Sequence, residues 1–225
     1  EDWHDPELAS SALRKLARAP LQLNQYGEPK GLLPLRQLLA QRWAHHHLPL
    51  SASQVLLTQG ASQALDIITA TYCQAGDTVF IDNPGYTNLL TRLRSKQLHI
   101  VGVPWNEDGP DVVQLAQLLQ QYRPKLMFTN PVLQNPTSAS YSLATAHQVL
   151  NQLRQASCLL VENQVSYWLA HNPPPPLSAL DSIQHSLLIG SFTKHLSPVL
   201  RVGYVLGTDE RIAALMQQKM LRRLQ

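Results

Sequence analysis

The sequence has no apolar run approaching the ~18–20 residues that a membrane span needs. Its start, Glu1-Asp2-Trp3-His4-Asp5-Pro6, offers neither a basic n-region nor an apolar h-region, so no secretory signal is visible. It also lacks an initiator Met, and the expectation is a chain that is processed, trimmed or part of something longer. Charge is sparse and nearly balanced. With 18 basic and 15 acidic residues the net charge is +3, too mild to argue for nucleic acid on this segment. Cysteine is close to absent: Cys73 and Cys158 form no C-x-x-C pattern and sit in apolar surroundings. That favours buried free thiols in a reducing cytoplasm over a disulfide. No internal repeat is found.

What is present has ordinary globular proportions, 44% apolar and 15% charged residues, which argues against disorder, collagen or coiled coil for the chain as a whole. A length of 225 residues suits one large domain or two small ones. Short apolar runs alternate with longer amphipathic ones. Strands are expected at 55–58, 78–82, 99–103, 126–129, 159–162, 187–190 and 202–206, whose near-continuous apolar character suits burial on both faces. Helices are expected at 33–46, 62–73, 87–95, 111–121, 144–155 and 209–224; in the fourth, Val112, Leu115, Leu118 and Leu119 recur at helical spacing. The alternation predicts a layered α/β domain. The four prolines at 173–176 exclude helix and central strand and give a stiff surface connection. His45, His46 and His47 are consecutive on a helix, so they point in different directions; a solvated helix end is expected there rather than a metal site.

In such sheets, ligands bind outside the carboxyl ends of the strands. The residues that follow the expected strands are Gln59-Gly60-Ala61-Ser62, Asn83-Pro84-Gly85-Tyr86, residues 130–137, Asn163, and Ser191-Phe192-Thr193-Lys194. Gly60-Ala61-Ser62 opens a helix, and main-chain N–H groups at a helix N-terminus bind phosphate. Taken alone this is a weak signal, because many strand–helix turns use Gly and Ser as caps. Ser191 and Arg201 add a hydroxyl and a guanidinium able to meet the same anion. Lys194 is a candidate Schiff-base nucleophile; taken singly, a lysine after a strand is a solvated side chain. Tyr86 is placed to stack on a planar ligand, although a single aromatic there reads as core.

The combination is more specific than its parts. The ordered run Gly-Ala-Ser-Gln, Asn-Pro-Gly-Tyr, Asn-Pro-Thr and Ser-Phe-Thr-Lys, with Arg seven residues after the Lys, resembles fold-type I pyridoxal-phosphate (PLP) aminotransferases over essentially the whole chain from Leu23. Three further stretches look closest to the MocR-type branch of GntR-family transcription regulators: Tyr26-Gly27-Glu28-Pro29-Lys30-Gly31-Leu32-Leu33-Pro34-Leu35-Arg36, Leu56-Leu57-Thr58-Gln59-Gly60-Ala61-Ser62-Gln63-Ala64-Leu65-Asp66, and Val132-Leu133-Gln134-Asn135-Pro136-Thr137. The resemblance implies a three-layer α/β/α domain with a mostly parallel seven-stranded sheet. It implies PLP as cofactor, a homodimer, an amino-acid-like effector, and DNA contact through an N-terminal winged helix outside this chain. Lys194 matches the lysine that forms the internal aldimine with PLP, and Ser191, Arg201, Ala61 and Ser62, with the Gly60 turn, match the phosphate ligands. Tyr26 matches a tyrosine that reaches the neighbouring subunit's cofactor phosphate, Tyr86 the ring-stacking aromatic, and Asn135 the asparagine on the cofactor's 3-oxygen.

The pattern breaks near residue 162. Where the family reads Glu-Asp-Asp-x-Tyr, this chain has Glu162-Asn163-Gln164-Val165-Ser166. Asn163 stands in place of the aspartate that keeps the pyridine nitrogen protonated, and a neutral amide supplies no charge to hold that proton. Glu162 is no substitute, because neighbouring strand residues face opposite ways. Ser166 is too short to replace the usual tyrosine, and Thr137-Ser138 replaces Thr-Gly at a turn that prefers glycine. The small C-terminal domain that carries the family's carboxylate-binding arginine has no counterpart here, so the expectation is a large cofactor-binding domain, incomplete at both ends. The expected function is a PLP-binding sensor with weakened catalysis. The alternatives are a working aminotransferase and a cofactor-free interaction module.

Overall fold

The computed structural model describes residues 6–18 and 27–223. Its helices are α1 (Pro6–Arg18), α2 (Leu33–Ala44), α3 (Gly60–Tyr72), α4 (Thr87–Ser95), α5 (Val112–Tyr122), α6 (Leu143–Gln155), α7 (Leu177–Leu180) and α8 (Asp209–Arg223). Its strands are β1 (Val55–Thr58), β2 (Thr78–Asn83), β3 (His99–Asn106), β4 (Gly109–Pro110), β5 (Leu126–Thr129), β6 (Leu159–Asn163), β7 (Ser186–Ser191) and β8 (Gly203–Leu206). They form one sheet in the order β1-β8-β7-β6-β5-β2-β3-β4. The five strands from β7 to β3 run parallel, β8 is antiparallel to both of its neighbours, and β4 is antiparallel to β3. The eighth strand, beyond the seven expected, is the two-residue Gly109–Pro110 pairing with Trp105 and Asn106. It is too short to leave an apolar signature.

Both faces of the sheet are covered, which explains why its strands read as continuous apolar runs. On one face Ile81, Phe128 and Val161 pack with Leu65 and Ile68 of α3, Leu89 and Leu93 of α4, and Ile212 and Leu215 of α8. On the other, Phe80, Met127 and Leu160 pack with Leu115 and Leu119 of α5 and Val149 and Leu153 of α6. Burial of each such side chain contributes roughly 1.5–3 kcal/mol. A third cluster, around Trp43 and Tyr204, seats α2 against β1 and β8.

This alternation fixes what happens at the strand ends. Ile81 pairs with Phe128, and Thr129 pairs with Glu162. Asp82, Thr129 and Glu162 therefore fall on the α5–α6 face, and Asn83, Asn130 and Asn163 come one residue later, on the α3 side.

Helix starts follow their caps. The Asp111 side chain accepts from the N–H groups of Val113 and Gln114, and the Ser142 hydroxyl accepts from Thr145 N–H. α3 begins at Gly60, two residues before the expected Ser62. α1 lies outside the expected helices, although Pro6 at its start and Lys15 and Arg18 in its last turn are ordinary helix signals. The prolines at 173–176 lead without helix or strand into α7. His45 and His47 are exposed beyond the end of α2, while the His46 ring packs edge-on against Tyr167 and Trp168. Both cysteines are free, and burial pushes the Cys73 and Cys158 thiols up to about 11 and about 12. Among the described residues no helix is long and apolar enough to cross a membrane.

Candidate functional site

A cavity of about 480 Å³ opens at the carboxyl ends of the parallel strands. It is lined by Ala61, Ser62, Tyr86, Asn135, Asn163, Ser166, Ser191, Lys194 and Arg201, nine of the residues expected from sequence. Gly60 lies beside it, under Arg201. Tyr26 lies outside the described residues.

One end of the cavity is shaped for an anion. Gly60 has φ +76°, and a Cβ there would sit 3.3 Å from Arg201 Nη2. A Cβ on Gly203 would come within 2.6 Å of the Gly60 carbonyl carbon, so glycine at 203 lets β8 approach the start of α3. The first-turn N–H groups of α3 and the Arg201 guanidinium thus converge, and helix dipole and cation favour the same negative group. Arg201 itself is held at φ +50°, the kind of strained backbone that concentrates at functional sites. Ser191 is buried at the end of β7; its hydroxyl donates to Thr193 Oγ1 at 3.0 Å and accepts from Thr193 N–H at 3.2 Å, which fixes its orientation. Lys194 stands exposed three residues further on.

The middle of the cavity is flanked by Tyr86, 39% exposed, not buried in the core as an aromatic read singly would be. Asn88 Nδ2 donates to its hydroxyl at 2.9 Å. Gln134, buried, has no role that its sequence position announces, yet it ties two cavity walls together. Its Nε2 donates to Pro84 O at 2.6 Å, and its Oε1 accepts from Thr137 N and Oγ1 at 2.9 and 2.7 Å. The turn before Tyr86 and the loop carrying Asn135 therefore share one side chain. Ser138 in that loop has φ +63°, which confirms a position that favours glycine.

At the far end lies Asn163, the last residue of β6. Its carbonyl accepts from Asn130 Nδ2 at 3.0 Å, while its side-chain Oδ1 is buried with no hydrogen-bond partner among the described residues. Glu162 points to the opposite face. Its Oε1 accepts from Leu177 N–H at 2.7 Å and Gln164 Nε2 at 2.6 Å, and its Oε2 from the N–H and hydroxyl of Ser178, capping α7. Burial raises its carboxyl above the usual carboxylate range, and these donors work against that shift. Among the described residues, no aspartate or glutamate lines the cavity. Its charged groups are Lys194, Arg201 and Arg92, the last held by Asp66 at 2.7 Å.

The site therefore combines an anion cradle, an exposed amine, an aromatic wall and a buried amide oxygen with no partner among the described residues. These features fit a phosphorylated heteroaromatic aldehyde such as PLP. The comparisons agree. The profile of the family described as aminotransferase class I and II matches residues 3–222. The HTH-type transcriptional regulator YdfD of Bacillus subtilis (strain 168) is 33% identical over 199 residues, 87% of this chain and 41% of the regulator. The 2-aminoadipate transaminase of Thermus thermophilus is 28% identical over 218 residues, 95% of this chain and 54% of the enzyme. Among solved structures, an archaeal alanine:glyoxylate aminotransferase matches with a TM-score of 0.88 at 26% identity, over 96% of this chain and 56% of its own. The α-aminoadipate aminotransferase LysN of Thermus thermophilus, solved with N-(5'-phosphopyridoxyl)-L-leucine, matches with a TM-score of 0.84 at 28% identity, over 96% of this chain and 57% of its own. The chain spans roughly half the length of these relatives. It belongs to the class I and II aminotransferase family, whose cofactor is PLP.

Proposed function

We propose that this chain is the PLP-binding effector domain of a MocR-type, GntR-family transcription regulator, with the cofactor attached to Lys194 and catalysis weakened at Asn163. Bound PLP supplies an aldehyde that condenses with amines and, when its ring nitrogen is protonated, an electron sink for carbanion chemistry. The N–H groups of Ala61 and Ser62, the Ser191 hydroxyl and Arg201 would hold the phosphate. Tyr86 would flank the ring, Asn135 would meet the 3-oxygen, and Asn163 would face the ring nitrogen. The observation that carries the reading is the absence of any acid among the described residues lining the cavity. An amide at Asn163 meets an unprotonated ring nitrogen only with Nδ2 as donor, and it supplies no charge to hold a proton there. Such a site captures amines more readily than it turns them over.

The relatives support the regulator. YdfD and two further Bacillus subtilis proteins bear the description HTH-type transcriptional regulator. In this reading an N-terminal winged helix outside this chain contacts DNA, and an amino-acid-like effector shifts the protein between two states by binding them unequally. A homodimer is part of the reading, with Tyr26 reaching the partner's cofactor. The exposed apolar Leu32, which lines a groove together with Arg201, and Val199, two residues before Arg201 in the chain, are 67% and 83% accessible and suit cover by a second copy.

The second reading is an active aminotransferase, favoured by the transaminases among the relatives. A single-turnover half-reaction decides between them. Full-length protein loaded with PLP is mixed with amino acids, and loss of the cofactor's aldehyde absorbance is followed. Slow or absent conversion, raised at least about tenfold by Asn163→Asp, is expected, since a restored ring charge is worth about a kcal/mol or more. Fast conversion by the wild type, or no gain in the variant, contradicts the proposal.

A further inference from the structure

We propose that Asp82 is a positioning residue for this cavity. From the opposite face of the sheet it fixes Asn130, and through Asn130 it sets where Asn163 and the 130–137 loop, with Asn135, meet a bound ligand. The identity of that ligand as PLP rests on the reading above.

Asp82 is 5% exposed, near the end of β2. Its Oδ2 accepts from the main-chain N–H of Asn130 at 2.8 Å, and its Oδ1 from Trp105 Nε1 at 2.9 Å. Asn130, 8% exposed, is the first residue beyond β5, where the chain leaves the sheet and its N–H needs a new acceptor. The Asn130 side-chain amide then donates twice, to Asn163 O and to Val132 O, both at 3.0 Å. One carboxylate thus orders one amide, and that amide clamps the end of β6 to the start of the loop. Asn163 Oδ1 and Asn135 lie just beyond these two clamped points, and both residues line the cavity.

The surroundings of Asp82 make it hard to replace. From β5 comes Thr129, whose hydroxyl bonds the Tyr141 hydroxyl at 2.9 Å. From β3 comes the Trp105 indole, and from β6 Glu162, a second buried acid on the same face. Burial pushes the Asp82 carboxyl up to about 6, while the Asn130, Trp105 and Thr129 donors pull it down. Asp82 does not line the main cavity; it borders a small adjoining pocket that shares Tyr86, Asn135 and Asn163 with it.

Two of the three donors on Asp82, Asn130 N–H and the Trp105 indole, separate positioning from mere packing. In full-length protein, Asp82→Ala removes the acceptor; PLP affinity is expected to fall about tenfold or more, the range for losing a group that orients a ligand-binding residue. Hydrogen exchange of segment 130–137 is expected to rise in the same variant. Trp105→Phe removes the other donor at the same buried place, and PLP affinity is expected to stay within about twofold. Asp82→Asn combined with Trp105→Phe keeps one acceptor oxygen for Asn130 N–H and removes the indole donor that the new amide nitrogen would oppose, while the Thr129 hydroxyl turns to accept from that nitrogen. That double variant is expected to recover affinity to within about threefold of wild type and to restore protection of 130–137. Normal affinity in Asp82→Ala, equal damage from Trp105→Phe, or a double variant no better than Asp82→Ala would each overturn the proposal. If the wild type takes up no PLP, the functional reading fails by itself. Exchange of 130–137 in ligand-free protein then decides the positioning role: it stands if Asp82→Ala raises exchange and the double variant restores it, and falls otherwise.

Discussion

Asn163, Ser138 and Asp82 show how individual side chains depart from a simple sequence reading. The gap at Asn163 is legible from pattern alone, because a known motif breaks there, and the structure adds that Glu162 is committed to capping α7. The substitution at Ser138 is equally legible, and its φ of +63° gives it a physical cost. Ser138→Gly is expected to raise stability by about 1 kcal/mol, the usual relief of a left-handed non-glycine residue, read as a shift in the urea midpoint. Asp82 is not legible as anything but the end of an apolar strand. Its acceptor role depends on Trp105 and Asn130, which approach only through strand pairing. Its folded carboxyl pKa, about 6, lies above the ordinary 3.8. Between those values the folded state binds the proton more tightly than the unfolded state does. Stability from this group is therefore full below about pH 4, falls as pH rises, and is fully lost above about 6, an effect of roughly 3 kcal/mol. Wild type compared with Asp82→Asn by urea denaturation should gain relative stability as pH drops from about 7 to about 4.5. A pH-independent difference would contradict this burial effect.

At the scale of elements, the strands are the most legible part, and burial on both faces is the reason. Each of the seven long strands has both faces in a core, the second face of β1, β7 and β8 lying in the cluster around Trp43 and Tyr204, so it reads as a largely apolar run. Helix ends are less legible. The start of α3 is set by the left-handed Gly60 and by Thr58 Oγ1, which donates to Gly60 O at 3.0 Å, and apolar spacing does not report such contacts. α1 carries legible helix signals in Pro6, Lys15 and Arg18 and still stands outside the expected helices; its apolar Leu13 and Leu16 are 56% and 52% exposed. The cap of α6 offers a direct check on how such ends are held. Ser142 accepts from Thr145 N–H at 3.1 Å, and Ser142→Ala should cost about 1 kcal/mol. An unchanged thermal midpoint would show that the hydroxyl is dispensable.

Over the whole molecule, a sheet covered on both faces brings distant segments to one rim. Gly60, Tyr86, Asn135, Asn163, Ser191 and Lys194 come from well-separated places in the sequence and meet only because strand order carries their loops to the same edge. The fold is therefore readable before the site is. Residue order alone suggests which loops matter, but the ties between them, Gln134 to Pro84 and Asn130 to Asn163, appear only once the sheet closes. A ligand that satisfies Asn163 and fills the phosphate cradle would bind the folded state alone and stabilise it by mass action. The most direct test is covalent. Full-length protein is incubated with PLP, reduced with borohydride and mapped by peptide mass, beside a Lys194→Ala control. A phosphopyridoxyl group on Lys194, absent from the control and accompanied by a loss of aldehyde absorbance, is the predicted result. A folded protein that carries no such group, or carries it equally in the control, would contradict the account.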